Sequence, residues 1–492
     1  MIGGILMKIY NSLTKKKEEF IPIDKENVKM YACGITVYDD SHIGHARQAI
    51  TYDMICCYLR FLGYNVKYVR NYTDVDDKII ARANSLNMNA LEYSEARIKD
   101  AEDVFKRLGA DIADVKAKAS ENIDNIIDFI ARLIEKGHAY PTEKGDVYFD
   151  VKSFKDYGKL SKINIDDLLN GVRKDVEEGK KDPIDFALWK SAKPGEISWK
   201  SPWGEGRPGW HIECSTMVLD NLGETIDIHG GGKDLVFPHH ENEIAQSEAL
   251  TGKPLANYWI HNGLVKINGQ KMSKSLGNSL TIKQALEKYN PEVIRYAIIS
   301  KNYSSDIDLG ESEFVLAEQH LYYFYNTMNS INKFLEENTE MKEVANEVAD
   351  SIRPDFIEAM NDDFNTPVVI ANLFAVCKYV NNLLKNNKID ASEKAYILNK
   401  IKTEIIECYN VIGLFKEDVY GLIDCLKNKY VNKLGLNVAE IEDAISRRAE
   451  AKMEKNYEVA DNIRSELDDK GIILNDSKDG TSWDIKELYS AV

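Results

Sequence analysis

One stretch decides the fold: residues 31–45 read Tyr-Ala-Cys-Gly-Ile-Thr-Val-Tyr-Asp-Asp-Ser-His-Ile-Gly-His. The stretch begins with an apolar run rich in β-forming residues and ends in a polar turn. After the turn, apolar side chains recur four residues apart at Ile50, Met54, Tyr58 and Leu62. An apolar β-type run followed by helical spacing predicts a strand, a tight turn and a helix.

The turn places two histidines at the predicted start of the helix. His42 and His45 stand three apart, and Gly44 between them has no side chain to keep a ligand away. Free N–H groups at a helix N-terminus, flanked by imidazoles, suit a polyphosphate. An ordinary turn with two surface histidines explains this tetrapeptide equally well, so the rest of the chain must decide.

A lysine-rich motif in the second half of the chain decides between these interpretations. Lys271-Met272-Ser273-Lys274-Ser275 follows the apolar-rich residues 258–267 and precedes a helical pattern over 282–289. Together the two motifs resemble the signatures of class I aminoacyl-tRNA synthetases. The resemblance implies that His42, His45, Lys271 and Lys274 are catalytic and that ATP, with Mg²⁺, is bound by residues of both motifs. The implied ATP-binding residues are Ile35, Thr36, His42, Gly44, His45 and Lys274.

Length and composition restrict the possible classes of protein but do not identify one of them. A chain of 492 residues is too long for one core and suggests three or four domains. The net charge of −17 argues at face value against a nucleic-acid partner, although phosphates respond to a local patch rather than to the total. Seven scattered cysteines indicate a reducing cytoplasm, and no apolar run approaches the roughly 20 residues of a membrane span.

The order of the elements predicts an α/β protein with a Rossmann-type parallel sheet, split by an insertion and followed by a helical bundle and a small C-terminal domain. One helical pattern covers 77–108, and His42 is expected to face the same cleft as the residues after Ile228. The predicted domains are 7–136 and 206–265 for the two halves of the catalytic domain, 137–205 for the insertion, 266–312 for a tRNA stem-contact region with the lysine motif, 313–426 for the bundle and 430–492 for the C-terminal domain.

Four residues from distant parts of the chain form a candidate metal site. They are Cys33, Cys214, His239 and Glu243, the last two being four apart on a helix expected to begin at Pro238. Two thiolates, an imidazole and a carboxylate make a plausible zinc set. Each residue also has an ordinary structural explanation, and the close Cys-x-x-Cys spacing of structural zinc fingers is missing. The absence of His-Glu-x-x-His excludes that type of metalloprotease.

Longer stretches narrow the resemblance. Residues 31–39, 209–215, 228–235 and 237–243 together resemble cysteinyl-tRNA synthetases, and the similarity extends from Met7 to Trp483. The resemblance implies one Zn²⁺ per subunit, held by the four candidate ligands and bound to the thiolate of L-cysteine. It also implies an amino-acid pocket lined by Thr73, Trp210, His229 and Asp234. The 430–492 domain would read the anticodon of tRNA(Cys), with Arg464, Asp476 and Trp483 as the candidate residues.

Three alternatives remain at this stage, and each can be weighed against the residues. A cysteine ligase that acts on an amino sugar shares the catalytic core but lacks an extended anticodon domain. A non-catalytic zinc-containing RNA-binding relative would not need both intact motifs, and a small nucleotidyltransferase would not need the zinc set. We expect a monomer, because no long exposed apolar stripe is evident. The run Gly230–Gly232 is expected to leave backbone room near the adenylate.

Overall fold

The computed structural model describes residues 6–164, 179–271, 279–477 and 480–490. The chain divides into two compact units. The first unit comprises Met1–Pro291, Lys301–Asp308 and Glu358–Thr366, and the second comprises Glu292–Ser300, Leu309–Ile357 and Pro367–Val492. Lys274 lies outside the described residues, as does the side chain of Lys271.

The strands are short, and most belong to the first unit. In chain order they are β1 (Lys8–Asn11), β2 (Lys16–Glu19), β3 (Asn27–Thr36), β4 (Asn65–Thr73), β5 (Val115–Lys118), β6 (Ala139–Pro141), β7 (Val147–Phe149), β8 (Phe186–Ser191), β9 (Trp199–Ser201), β10 (Gly204–Pro208), β11 (Ile226–Gly232), β12 (Ala256–Asn262), β13 (Val265–Ile267), β14 (Gln270–Lys271), β15 (Ile307–Asp308), β16 (Ile472–Ser477) and β17 (Gly480–Ile485).

Helices dominate the second unit and separate the strands of the first. They are α1 (Ile43–Phe61), α2 (Asp77–Ser85), α3 (Ala90–Arg107), α4 (Ile123–Glu135), α5 (Trp210–Leu222), α6 (Glu241–Thr251), α7 (Ile282–Lys288), α8 (Pro291–Ile299), α9 (Glu311–Glu337), α10 (Glu347–Asn361), α11 (Thr366–Lys385), α12 (Ala391–Tyr409), α13 (Val419–Lys433), α14 (Val438–Met453) and α15 (Tyr457–Asp469).

The central sheet of the first unit is parallel and has the strand order β12-β11-β3-β4-β5. The chain runs outward from β3 to β4 and β5, and returns on the other side as β11 and β12. The order therefore reverses between β3 and β11, and a doubly wound sheet binds its ligands at the carboxyl ends of the strands at such a point. The predicted Rossmann-type sheet is confirmed.

The glycines of β11 show how closely side chains from neighbouring elements pack against the two faces of this sheet. A Cβ on Gly230 would lie 2.1 Å from the ring of Tyr52 on α1, and one on Gly231 would lie 2.7 Å from the ring of His240. Successive residues of a strand face opposite sides, so these two contacts lie on opposite faces of the sheet. The room that the glycine run was expected to leave for the adenylate is filled at Gly230 and Gly231 by protein side chains.

The insertion forms an antiparallel sheet of its own, with the order β6-β7-β8-β10-β9. Its apolar side packs with α4 around buried Phe129, Phe149 and Trp189. A smaller sheet, β14-β13-β15, follows β12 and ends at Lys271. It connects the central sheet to the lysine motif.

The second unit contains α9 to α15 and the hairpin β16-β17, apart from the end of α10 and the start of α11. The helices of the predicted bundle are therefore present, and the C-terminal segment, for which no hairpin was predicted, ends in one. Among the described residues, one helix, Thr366–Lys385, is long and apolar enough to cross a membrane by length and composition. The core helix of a globular protein passes the same test, and Val369, Leu373 and Val380 on this helix are fully buried.

One expected helix is in fact two. The pattern over 77–108 is interrupted after Ser85, where Asn87 has a φ of +54°. Asn89 then caps the second helix, its side chain accepting hydrogen bonds from the N–H groups of Leu91 and Glu92. Asparagine tolerates the left-handed region and is a strong N-cap, so this segment stops one helix and starts another.

Candidate active site

One cavity of the first unit lies where the strand order reverses. It has a volume of about 320 Å³ and is lined by the ends of β3 and β11, the start of α1 and the segment 262–265 after β12. Among the residues predicted from the sequence, those that line it are Cys33, Ile35, Thr36, His42, Gly44, His45, Thr73, Trp210, Cys214, Asp234 and His239. Residues from both halves of the sheet therefore face one cleft, as expected.

A bulge in β3 gives this cleft its shape. The pairing of β3 with β4 shifts register between Ala32 and Ile35. Gly34 sits within the shift, and its N–H donates to the side-chain oxygen of Asn71 at 2.7 Å. A Cβ on Gly34 would lie 1.6 Å from the Asn71 carbonyl oxygen, so only glycine fits this approach.

The two histidines of the first motif lie against each other at the start of α1. Their rings stack with centroids 3.6 Å apart, and the backbone N–H of His42 donates to Nδ1 of His45 at 3.3 Å. This contact assigns the ring proton of neutral His45 to Nε2. The pair lies at the N-terminus of α1, the positive end of the helix dipole, where an anion is stabilised.

The residues after the lysine motif lie beside the first motif. The N–H of Ile43 donates to the carbonyl of Leu280 at 2.9 Å, and the N–H of Ile282 donates to the carbonyl of Ser41 at 2.8 Å. Residues 41–43 and 280–282 are therefore joined directly. The chain on the far side of the lysine motif returns to the start of α1.

The four candidate metal ligands converge on one point at the cleft. Their ligand atoms all lie within 4.8 Å of one another, and all four residues are buried. Sγ of Cys33 lies 3.8 Å from Sγ of Cys214 and 3.2 Å from Oε1 of Glu243, which lies 3.0 Å from Nε2 of His239. Tetrahedral ligands at zinc bond lengths are separated by about 3.3–3.8 Å. The donor set and its spacing fit zinc.

The electrostatics of this cluster divide its members into two kinds. Burial raises the pKa of Cys33 well above its usual value, whereas burial is outweighed at Cys214, where the hydrogen bond from Cys33 and the charge of His239 lower the pKa to about 6. Burial is likewise outweighed at His239, where Glu243 and Cys214 raise the pKa to about 10. His229 and His239 hold the pKa of Glu243 well below its usual value against the effect of burial. The cluster therefore holds anionic ligands next to protons that a cation would displace.

A shell of further histidines supports these ligands. Nδ1 of His211 lies 2.9 Å from Nδ1 of His239, and Nε2 of His229 lies 2.9 Å from Oε2 of Glu243. His240 and His261 contact each other at 2.8 Å behind them. Burial lowers the pKa of His211, His240 and His261, and that of His261 reaches about 3. Neutral imidazoles of this kind fix the orientation of metal ligands.

The sequence predictions did not include three of these residues, His211, His240 and His261. His211 follows the predicted site residue Trp210, and His240 follows the predicted site residue His239. His261 lies next to Asn262 at the end of β12. Seven of the nine histidines of the chain belong to this region. Their concentration in the motifs, rather than their spacing, is the signal that could have found them.

The predicted amino-acid-binding residues take two positions. Trp210 is 38% exposed, and its ring lies 4.4 Å from that of His239; Thr73 donates its hydroxyl hydrogen to Oε2 of Glu213 at 3.0 Å. Both line the cleft, as does exposed Asp234. His229 is fully buried and stacks on Trp259 at 4.3 Å. The structure places it behind Glu243 rather than on the cleft surface.

The candidate anticodon residues lie in the second unit and have protein partners. Asp476 accepts two hydrogen bonds from Arg448, at 2.8 and 2.9 Å, and pairs with Arg464 at 3.3 Å. The hydrogen bond from Arg448 lowers the pKa of Asp476. The indole of Trp483 donates to Glu442 at 2.6 Å, and the ammonium of Lys427 lies 3.9 Å from the ring centroid.

Comparisons with known proteins agree with this geometry. Residues 19–319 match the family described as the tRNA synthetases class I (C) catalytic domain, and residues 355–416 match the DALR domain. Among solved structures, methionyl-tRNA synthetase of Mycobacterium tuberculosis in complex with methionyl-adenylate is similar, with a TM-score of 0.62 at 13% identity over 84% of this chain and 95% of that one. The fold and the cleft are those of a class I aminoacyl-tRNA synthetase.

Relatives that match nearly the whole chain show to which family of this class the protein belongs. The cysteine–tRNA ligase of Geobacter metallireducens is 48% identical over 485 residues, covering 98% of this chain and 100% of the relative. Those of Geotalea uraniireducens and Thermodesulfovibrio yellowstonii are 46% and 47% identical, with the same shares covered. The chain belongs to the cysteine–tRNA ligase family. Because the matches cover 98% of this chain, they include most of the segment over 430–492.

Proposed function

We propose that this protein attaches L-cysteine to tRNA(Cys) in two steps. The observation that carries the proposal is the buried set of Cys33, Cys214, His239 and Glu243, which borders the same cleft as the stacked histidines His42 and His45. An amino acid held at the metal set would present its carboxylate towards a nucleotide held at the start of α1.

In the first step, a carboxylate oxygen of cysteine attacks the α-phosphorus of ATP, and pyrophosphate leaves with its electron pair. The carboxylate is already ionised, so the step needs no general base and depends on positioning and charge stabilisation. His42 and His45 would donate hydrogen bonds to the phosphates, while Lys271, Lys274 and Mg²⁺ would neutralise the departing pyrophosphate. Ile35, Thr36 and Gly44 would contact the nucleotide.

In the second step, a ribose hydroxyl of the terminal adenosine of the tRNA attacks the carbonyl carbon of cysteinyl-adenylate. The product is the ester, and AMP is the leaving group. Thr73, Trp210 and Asp234 would hold the amino acid during both steps, with Asp234 facing its ammonium group. His229 would act through Glu243, which it contacts.

The metal set accounts for the choice of cysteine. Zn²⁺ held by the four ligands would bind the thiolate of the substrate, a soft ligand that the hydroxyl of serine cannot replace. Shape alone would separate the two amino acids poorly, because they differ by one atom. Cys33 and Cys214 would give the site its affinity, and Trp210 would form its apolar wall.

The remaining assignments follow from the same proposal. Residues 7–136 and 206–265 would form the catalytic domain, interrupted by 137–205; residues 266–312 and the bundle over 313–426 would contact the tRNA stem; and residues 430–492 would read the anticodon. All seven cysteines are free, which supports a reducing cytoplasm as the place of action. We assign a monomer as the working state.

The test of the whole proposal is amino-acid-dependent ATP–pyrophosphate exchange by the purified chain, with cysteine and serine compared and zinc content measured. We expect exchange with cysteine, none above background with serine, and one zinc per chain. Folded, zinc-loaded protein without cysteine-dependent exchange would refute the assigned activity. Exchange by zinc-free protein would refute the role of the metal.

Zinc binding is expected to release about two protons near pH 7.5. With the pKa of Cys33 raised and that of His239 at about 10, both are protonated in the metal-free protein, whereas Cys214 and Glu243 are largely ionised. Because two protons are released, zinc affinity already falls as the pH drops from about 7.5, and it falls more steeply below about 6, where Cys214 is protonated as well. Calorimetric titration of zinc in two buffers of different ionisation enthalpy measures the number; release of no protons would contradict the assignment.

The anticodon assignment predicts a separation of the two steps. Arg464→Ala should lower kcat/KM for tRNA charging by about 10- to 100-fold, because it removes a partly exposed cation of α15 that pairs with Asp476 of the hairpin, and should leave pyrophosphate exchange unchanged. Arg447→Ala is the matched control, since Arg447 is 61% exposed and pairs with Asp443 on its own helix. Equal losses in both reactions, or equal effects of the two variants, would contradict the assignment.

A further inference from the structure

Arg47 is a fully buried cation on α1, two residues after His45, and the activity does not yet account for it. Its side chain is 1% exposed, and among the described residues no carboxylate forms an ion pair with it. Burial lowers its pKa to about 10, which still leaves the guanidinium charged at neutral pH. The charge of Asp306 favours the guanidinium without an ion pair, and a buried charge outside an ion pair is costly unless hydrogen bonds replace its water. Among the described residues, hydrogen bonds do so at Nη1 and Nη2 but not at the buried Nε.

Backbone carbonyl groups replace that water. Nη1 of Arg47 donates to the carbonyl of Leu264 at 2.9 Å. Nη2 donates to the carbonyl of Tyr303 at 2.9 Å, to that of Asn302 at 3.4 Å and to that of Ser305. The fixed fork of a guanidinium suits several carbonyls at once, which an ammonium group cannot match.

The carbonyls belong to two segments that are joined to each other. The N–H of Gly263 donates to the carbonyl of Tyr303 at 2.9 Å, and the N–H of Leu264 donates to Oδ1 of Asp306 at 3.0 Å. A Cβ on Gly263 would lie 2.1 Å from the Ser305 carbonyl oxygen, so the two segments touch. Arg47 therefore connects α1 to two backbone segments that contact each other, 263–264 and 302–306, rather than to a single loop.

One of these segments is also a wall of the cleft. Residues 262–265 line the same cavity as Gly44 and His45, which lie in the first turn of α1. The same segment leads into β13, and β13 pairs with β14 and β15 in the small sheet that ends at Lys271. A change in the distance between α1 and residue 264 would thus shift one wall of the cleft relative to the histidines.

We propose that Arg47 is a positioning residue that sets the distance between the histidine-bearing start of α1 and the cleft-lining segment 262–265, and so fixes the geometry of the ATP half of the site. This inference rests on the proposed function. Arg47 touches no reacting atom. A buried charge is weak as a source of stability, since an apolar side chain of the same volume is often as stable, but its directional hydrogen bonds fix geometry.

The test compares Arg47→Met and Arg47→Lys with Arg70→Met by cysteine-dependent pyrophosphate exchange. Arg70 is a second buried arginine of the first unit, 4% exposed, whose guanidinium bonds to Asp111 and Tyr72 rather than to the 262–265 segment. We expect Arg47→Met to lower kcat/KM for ATP by about 10²-fold, the typical cost of a misplacement of about 1 Å, with KM for cysteine within about twofold. Arg47→Lys should lie between Arg47→Met and wild type.

A second measurement locates the effect. Hydrogen exchange of the amides of residues 262–265 and 303–307 should rise in Arg47→Met and not in Arg70→Met, with zinc content unchanged in both. If both variants lose the same activity, or if Arg47→Met speeds exchange uniformly over the first unit, Arg47 serves only stability and the inference fails. Failure of wild-type protein to catalyse exchange would instead refute the proposed function, whereas activity of Arg47→Met equal to wild type would refute the inference alone.

Discussion

Cys214→Ser should lose bound zinc and cysteine-dependent pyrophosphate exchange together, the exchange by about 10³-fold or more. Serine has nearly the shape of cysteine, but its hydroxyl does not ionise at neutral pH and is a poor ligand for zinc. Sγ of Cys214 lies 3.8 Å from that of Cys33 in the cluster, so its loss leaves three ligands. Metal analysis and exchange with cysteine and serine on the same preparation measure both effects.

Cys56→Ser is the matched control for this prediction. Cys56 is also fully buried in the first unit, but it lies on α1 outside the cluster, and burial raises the pKa of its thiol to about 12. It should keep its zinc and its activity, apart from a loss of stability. A Cys214→Ser protein that loses zinc and retains exchange specific for cysteine would show that the metal does not select the substrate.

His45→Ala should lower the rate of exchange by about 10²- to 10³-fold while leaving zinc content unchanged. The substitution removes one of the two stacked imidazoles at the cleft and its hydrogen bond to the backbone of His42. The free energy of unfolding should fall by only about 1 kcal/mol, since the structural loss is that of a helix cap. Stopped assays at saturating cysteine, with zinc analysis and thermal unfolding, test each part.

His138→Ala controls for the loss of an imidazole. His138 lies in the inserted segment, where Nδ1 is 2.8 Å from the hydroxyl of Ser153, and does not line the cleft. It should leave exchange near the wild-type rate. If the two variants reduce exchange alike, the first motif has no special part in the reaction.

The sequence predicted those parts of the site that depend on residue type. Cys33, Cys214, His239 and Glu243 could be grouped because two thiolates, an imidazole and a carboxylate form a plausible zinc set and because longer stretches resemble cysteinyl-tRNA synthetases. The sequence could not place His229 correctly. Whether a side chain of β11 faces the cleft or lies behind a metal ligand depends on how the strand twists, and the sequence pattern does not give that twist. Nor could it find Arg47, whose partners are backbone carbonyls, which carry no sequence signature.

The C-terminal hairpin shows a second limit. Asp476 and Trp483 were expected to meet splayed anticodon bases by hydrogen bonding and stacking, an assignment that stays a prediction. In the structure Asp476 forms ion pairs with three cations that would otherwise repel one another, namely Arg448, Lys452 and Arg464. Long-range ion pairs of this kind depend on the packing of α14 and α15 against β16, which periodicity alone does not give.

The scattering of the metal ligands along the chain has a consequence for synthesis. Cys33 and Cys214 are separated by 181 residues, and Glu243 follows later still. A growing chain has only one of its four ligands until most of the first unit has been made, so zinc cannot direct early folding as it does in a zinc finger. Under the proposed function, the four-ligand set would be completed only when β3 packs against α5, and metal shortage would leave folded protein without its ion rather than unfolded chains.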